Sequence, residues 1–275
     1  MASTSAIGVA AAHPVNCTPY KIVWIASMPR SGSMWAFNIA RRLLREAGYN
    51  VLPRTIPKSD AQMVAEARKG LMDDSPDNVW CLKIHSGLRN GSPSNRFIST
   101  FRDPRDAVVS FMRFMQCDFE QALTASAIWT ELCDHYRTFP SDLSLQLDYD
   151  GIVTQPRYAA SRIGKFLGLD LPPHHIAGAV AEFERANVRR RIETLRKDVE
   201  RGHASSDFDI LEALIVNPDG RLRFYDPQTG FQSDHVSDYR DGDWRILLTG
   251  EQKQRLDQTI GDWLARQGFD RRLEA

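Results

Sequence analysis

The stretch from Lys21 to Gly48 constrains the fold more than any other part of the chain. An apolar, β-branched run, KIVWIAS (Lys21–Ser27), passes through the turn MPRSG directly into an amphipathic segment. In that segment Ala36, Phe37, Ile39, Ala40, Leu43, Leu44 and Ala47 recur at helical spacing, with Arg41, Arg42, Arg45 and Glu46 opposite and Gly48 as a stop. The result is a strand, a tight turn and a helix in immediate succession. VWCLKI (Val79–Ile84), RFISTF (Arg96–Phe101) and LSLQL (Leu143–Leu147) read as three further buried strands. Helices are predicted between and after them. Ser59 with Gln62 opens one to about Lys69, Asp103 and Pro104 open RDAVVSFMRF, and Phe119–Tyr136 forms a long one. Pro156 opens another that ends at Gly168, and Thr249 with Gln252 opens the last, with Leu256, Ile260, Trp263 and Leu264 as its stripe. Strands alternating with helices predict an α/β chain with three αβα layers around a mainly parallel sheet.

Composition narrows the function classes. Of 275 residues, 42% are hydrophobic and 25% charged, the balance of a globular protein with a large core. Lys plus Arg equals Asp plus Glu at 35 each, so no global field draws nucleic acid or an anionic membrane, and any anion site must be local. Cys17, Cys81, Cys117 and Cys133 have no paired short spacing, which argues against a zinc site or disulfide framework and for a reducing, cytoplasmic setting. No apolar run approaches the roughly 20 residues of a membrane span, so stable membrane insertion is not expected. Residues 1–20 are expected to be a disordered leader and 21–275 a single domain. The least regular part, 186–240, is expected to be an insert or mobile lid. A basic stretch, Arg185–Lys197, leads into it, and it holds a hairpin with turns at Pro218–Gly220 and Pro227–Gly230.

Three constellations can carry chemistry. In PRSGSMW the helix presents free N–H groups and its positive dipole end to the turn, Gly32 lets a ligand approach, and Ser31, Ser33 and Arg30 add donors. This reads as an anion-binding loop, its plainer role being an ordinary strand–helix turn with Arg30 solvated and the serines as caps; it lacks the Gly and Lys of a nucleoside triphosphate loop. Arg102 ends a strand, and Ser110 lies eight residues on in the next helix, so both can meet above the sheet edge, where open α/β sheets bind ligands. Their plainer roles are an ion pair of Arg102 with Asp103 or Asp106, and an intrahelical bond of Ser110. In LKIHSG, Lys83 and His85 share one face at a strand end; the histidine can accept a proton from a hydroxyl.

PRSGS, KIH, FRDPRDAVVS, LDYDGIVTQP and DGDWRILLT, in that order from about Val23 to Thr249, resemble the sulfotransferases that use 3′-phosphoadenosine 5′-phosphosulfate (PAPS). The resemblance implies a P-loop-like sulfotransferase fold, with PAPS as donor, adenosine 3′,5′-bisphosphate (PAP) as product, and no metal. It implies that Arg30 contacts the sulfuryl or bridging oxygens while Ser31, Gly32, Ser33 and the Met34 position hold the 5′-phosphate. Trp35 would stack on adenine with Tyr149 close by, and Arg102 and Ser110 would bind the 3′-phosphate. His85 would be the general base, and Lys83 would assist at the leaving phosphate. The acceptor would be a hydroxyl of a small molecule, sugar or glycolipid, attacking sulfur in line.

The sequence departs from the family pattern at three places. Arg30 replaces a lysine, as in carbohydrate-directed branches. Met34 replaces a hydroxyl residue. The family's Arg-Lys-Gly triplet falls on Ser237, Asp238 and Tyr239, leaving Ser237 or Arg240 to substitute near His235. Phe111, Phe114, Phe224, Tyr225 and Phe231 are candidates for an apolar acceptor wall or for ordinary core. Competing readings are a kinase-like phosphoryl transferase on a related architecture and a nucleotide-binding module without turnover. The first lacks its Walker lysine, and the second would predict a lost base. Oligomeric state is left open.

Overall fold

The computed structural model describes residues 20–88, 92–202, 209–217, 220–236, 238 and 240–269. Five strands form one parallel sheet: β1 (Ile22–Ala26), β2 (Asn50–Leu52), β3 (Asn78–Ile84), β4 (Asn95–Phe101) and β5 (Ser144–Asp148). Their order across the sheet is β2-β3-β1-β4-β5. The predicted three-layer α/β architecture is therefore the one observed.

The chain first leaves β1 toward the β2 edge through α1 (Ser33–Glu46), then returns to β3 through α2 (Asp60–Leu71). Right-handed crossovers in opposite directions place α1 and α2 on opposite faces. The side chains agree. Trp80 lies against Gly70 of α2, while its neighbour Cys81 lies near Arg41 of α1. α6 (Pro156–Phe166) and α7 (Pro173–Glu182) join α1 in one layer, and α3 (Pro104–Met115), α4 (Phe119–Arg137) and α10 (Gly250–Gln267) pack together in the other.

Local signals explain the boundaries. Ser59 accepts from the Gln62 N–H, as its spacing predicts, but Gln62 accepts from Lys58 N rather than closing a reciprocal box. Thr249 and Gln252 do close one. Asp103 caps α3, with Pro104 in its first turn. Four short elements escaped the sequence reading: β2, α5 (Tyr149–Thr154), α7 and α9 (Trp244–Leu247). The basic stretch is α8 (Arg185–Glu200), followed by the antiparallel pair β6 (Leu214–Val216) and β7 (Leu222–Phe224). Of the turn predicted at Pro218–Gly220, residues 218 and 219 lie outside the described residues; at the second predicted turn Gly230 N donates to Asp226 O at 2.7 Å.

Two hydrophobic cores result. The larger unites β1, β3 and β4 with α1, α6 and α7, and the smaller unites α3, α4, α9 and α10 with Met28. The expected leader falls on residues 1–19, outside the described residues. Tyr20, the last residue assigned to it, is buried and donates to Leu167 O at 2.8 Å. Cys81, Cys117 and Cys133 are free thiols, and Cys17 lies outside the described residues. No helix among the described residues is long and apolar enough to cross a membrane.

Candidate active site

β1 is flanked by β3 and β4, so the carboxyl ends of these three parallel strands lie side by side, with Ile25 in register with both Lys83 and Ile98. The turn after β1 carries Arg30, β3 carries Lys83 and runs directly into His85, and β4 leads to Arg102 and Ser110. This is the position at which successive connections run in opposite directions and open a crevice. A cavity of about 610 Å³ occupies it, lined by Arg30, Gly32, Ser33, Met34, Trp35, Lys83, His85, Arg102, Ser110 and Tyr149 among others. Residues singled out from four separate stretches of sequence thus converge.

The loop is built for close approach. Gly32 has φ +88° and is the N-cap of α1 without a side-chain cap, so the first N–H groups of the helix remain open. Arg30 also has a left-handed backbone, φ 63°, a conformation that costs a non-glycine residue on the order of 1–2 kcal/mol. Its Nε donates to Ser110 Oγ at 2.9 Å, and its Nη2 donates to His235 O at 3.1 Å. Burial, reinforced by the Arg102 charge, lowers its pKa to about 10. Ser31 is placed differently from expectation. Its hydroxyl faces inward, bonded to Met28 O (2.6 Å) and to Thr100, so only its backbone is available to a ligand. Met34 points to the turn at Gly230, where an added Cβ would lie 3.0 Å from its Cε. A thioether there seats the second hairpin turn on α1, with Asn38 bonding Thr229 O beside it.

His85 is fixed at both ends. Its backbone N–H donates to Asp60 Oδ2 at 2.8 Å, and its Nδ1 lies 2.7 Å from Ser27 O. A carbonyl can only accept, so the ring proton sits on Nδ1, and Nε2 is the bare, proton-accepting nitrogen. Lys83 Nζ is 2.7 Å from that Nε2. Burial first, then the Lys83 charge, lowers His85 to about 3, and burial lowers Lys83 to about 8. The pair is a neutral base beside an ammonium group that loses its proton easily.

Arg102 is buried and stacks over the Tyr149 ring at 4.3 Å. It pairs with Asp241, stands 3.9 Å from Asp106, and keeps Nε buried without a hydrogen-bond partner among the described residues. Asp103 pairs with Arg105 instead. Asp106, pushed up to about 6 mainly by burial, accepts from Gly242 N and so ties the segment after residue 240 to the site. Ser237 lies outside the described residues. Arg240 is exposed and does not line the cavity, and Asp238 pairs with Arg189 of α8. Of the aromatic candidates, Phe111, Phe114 and Phe231 line the cavity, whereas Tyr225 is buried and bonds Ile56 O. Phe224 sits in β7, away from the cavity wall. Sequence reasoning missed the rest of that wall, notably Ile128, Trp129, Phe183 and Val188, and the anchors Ser27, Asp60 and Asp241. Asp241 opens the DGDWRILLT stretch, but nothing there marks it as a partner of Arg102; Ile128, Trp129 and Val188 offered only the helical periodicity of α4 and α8, and Phe183, Ser27 and Asp60 offered no signal.

Comparison with known proteins agrees with this geometry. Residues 49–173 match the model of the sulfotransferase family. Flavonol 3-sulfotransferase of Flaveria bidentis is 20% identical over 94% of this chain and 84% of its own length. In fold, the chain is similar to mouse sulfotransferase SULT7A1 complexed with PAP (TM-score 0.62, 14% identity, 93% of this chain and 87% of that one). It is also similar to retinol dehydratase in complex with androsterone and PAP (TM-score 0.57, 16% identity, 91% and 82%). The chain thus shares the fold of these sulfotransferases, and its residues 49–173 are similar to the sulfotransferase family.

Proposed function

We propose that this enzyme transfers the sulfuryl group of PAPS to the hydroxyl of a small, largely apolar acceptor. The observation that carries the reading is the convergence of Arg30, Lys83 and Arg102 beneath a cavity whose base, His85, is held in its proton-accepting tautomer.

The residues present suit the donor. Among the described residues Arg102 has a buried donor atom without a partner and α1 has no side-chain cap at Gly32, and Arg30 and Ser110 already meet over the same space. Gly32, Ser33, Met34 and Trp35 would hold the 5′-phosphate side through backbone N–H groups and the Ser33 hydroxyl. Arg102 and Ser110 would take the 3′-phosphate, with Trp35 and Tyr149 beside the base. When bound, the donor supplies an electrophilic sulfur and a stable phosphate leaving group.

The chain's own residues divide the remaining work. His85 Nε2 takes the proton from the acceptor hydroxyl, while Ser27 O keeps the ring in the required tautomer. Lys83 turns from Nε2 toward the charge that builds on the departing oxygen, joined by Arg30 and the helix N-terminus. Phe111, Phe114, Trp129, Phe183 and Phe231 favour an apolar acceptor and exclude water. Retinol dehydratase, similar in fold, is known in complex with androsterone and with retinol, both apolar molecules of acceptor size, which supports this choice over a sugar.

Calorimetric titration separates the donor classes: PAP should bind and ATP should bind far more weakly. Tight ATP binding without PAP binding would refute the reading. His85→Ala should lower turnover by about 10²- to 10⁴-fold with PAP affinity kept.

A further inference from the structure

A second imidazole lines the chamber that holds His85, and the reaction just described does not use it. His235 lies between two cavity aromatics. Its ring stacks on Phe114 (centroids 4.9 Å apart, planes at 16°) and meets Phe231 edge-on at 6.1 Å and 77°. Its Nδ1 accepts from the backbone N–H of Gln232 at 2.9 Å. An accepting Nδ1 places the ring proton on Nε2, the tautomer opposite to that of His85. Its carbonyl is gripped by Arg30 at 3.1 Å, and its own N–H closes a turn to Gln232 O at 3.2 Å. Burial, with the charges of Arg30 and Lys83, keeps the ring neutral by holding its pKa well below the usual histidine value.

Among the described residues no group accepts a hydrogen bond from His235 Nε2–H, although the ring is held at its carbonyl, at Nδ1 and on two sides. Fixing a side chain in this way costs conformational freedom, and an unused donor at a cavity wall gains a partner only from what enters the cavity. The occupant with an oxygen to offer is the acceptor. Arg30, which grips the carbonyl of His235, also belongs to the loop that faces the donor, so the two substrates meet between these elements.

We propose that His235 is an acceptor-binding residue: its neutral Nε2–H donates to the acceptor's hydroxyl oxygen while His85 Nε2 receives that oxygen's proton. This rests on the sulfuryl-transfer reading. In the step, the acceptor O–H bond breaks and its proton goes to His85. The new O–S bond forms as the S–O bond to the leaving phosphate breaks, and that phosphate keeps the electron pair. His235 holds its proton throughout. It pins one lone pair of the attacking oxygen and stabilises the charge that develops there, so opposite tautomers in one chamber give the oxygen one acceptor and one donor.

Two variants separate this role from a merely structural one. His235→Asn retains an acceptor at the Nδ1 position for Gln232 N–H but loses the Nε2 donor; His235→Gln retains a donor near Nε2 and loses the turn contact. The probe is 4-nitrophenol, titrated into the PAP complex and followed by the visible absorbance of its phenolate, with no turnover required. Wild type and His235→Gln should bind it with the bound phenol shifted toward phenolate. His235→Asn should bind it about tenfold more weakly, without the shift and with PAP affinity unchanged. Equal binding and equal spectra for His235→Asn and wild type would overturn the proposal, as would a loss in His235→Gln with His235→Asn intact. Absence of phenol binding by wild type carrying PAP would overturn it too. Failure of wild type to bind PAP would instead refute the sulfuryl-transfer reading beneath it.

Discussion

At the scale of single residues the site is a set of side chains held away from their ordinary ionisation. Burial lowers Lys83 from 10.5 to about 8 and His85 from 6.5 to about 3. Both folded values lie below the unfolded ones, so the unfolded chain binds more protons across about pH 3 to 6.5 through His85 and about pH 8 to 10.5 through Lys83. Stability contributed by these groups therefore rises with pH through each window. Activity follows another rule. His85 is already neutral above about pH 3, so it places no acid limb near neutrality. The kcat/KM of the free enzyme should fall as pH rises through about 8, where Lys83 loses its charge. Lys83→Arg should remove that limb whatever activity it retains, since guanidinium stays charged. A flat wild-type profile from pH 7 to 10 would show that the Lys83 charge is not used. Lys83 and His85 could be paired from the sequence because strand alternation puts them on one face. The inward turn of the Ser31 hydroxyl could not, because its partner Thr100 comes from a strand 69 residues away.

At the scale of elements, the β1–α1 turn is the least replaceable piece. A Cβ on Gly32 would stand 3.2 Å from Ile152 Cδ1 and 3.3 Å from Tyr149 Cδ2, at a φ that disfavours side chains. Gly32→Ala should cost about 1–2 kcal/mol in thermal unfolding and weaken PAP at least tenfold by calorimetry. An alanine variant with unchanged PAP affinity would mean that the close approach is not needed. Strands and long helices were legible because buried β-branched runs, Asp103–Pro104 and the Thr249 box are local signals. β2 is only three residues, and α7 starts at tandem prolines without a side-chain cap, so neither announces itself locally. Met34 looked like a missing donor when read within its loop. Its reason lies almost two hundred residues further on, at Gly230, and is a packing reason.

At the scale of the whole molecule, the strand order made the site, and strand order is the property a single sequence encodes least directly. Five motifs in chain order said that Arg30, Lys83, His85, Arg102 and Ser110 belonged together. That β3 and β4 both neighbour β1, so that their ends meet, came only from the fold. The apolar wall was still less legible, since Trp129, Phe183 and Val188 follow the same periodicity as any core residue.

The turn that carries Arg30 also joins the two cores. Ala26 belongs to the sheet core, Met28 to the core around α3, α4 and α10, and Ser27 between them accepts from Thr100 N at 2.9 Å. The proposed catalytic site therefore sits on a seam rather than in one half, and neither half can loosen without disturbing it. Trp24 and Trp80 report on one side, and Trp129, Trp244 and Trp263 on the other. In a urea titration their fluorescence, the far-ultraviolet dichroism and PAP binding should share one midpoint. Separate midpoints would mean that the halves melt independently. If they coincide, this enzyme has no partly unfolded form that still works: a destabilising substitution at a core position away from the cavity lowers the number of active molecules and leaves the rate of each survivor unchanged.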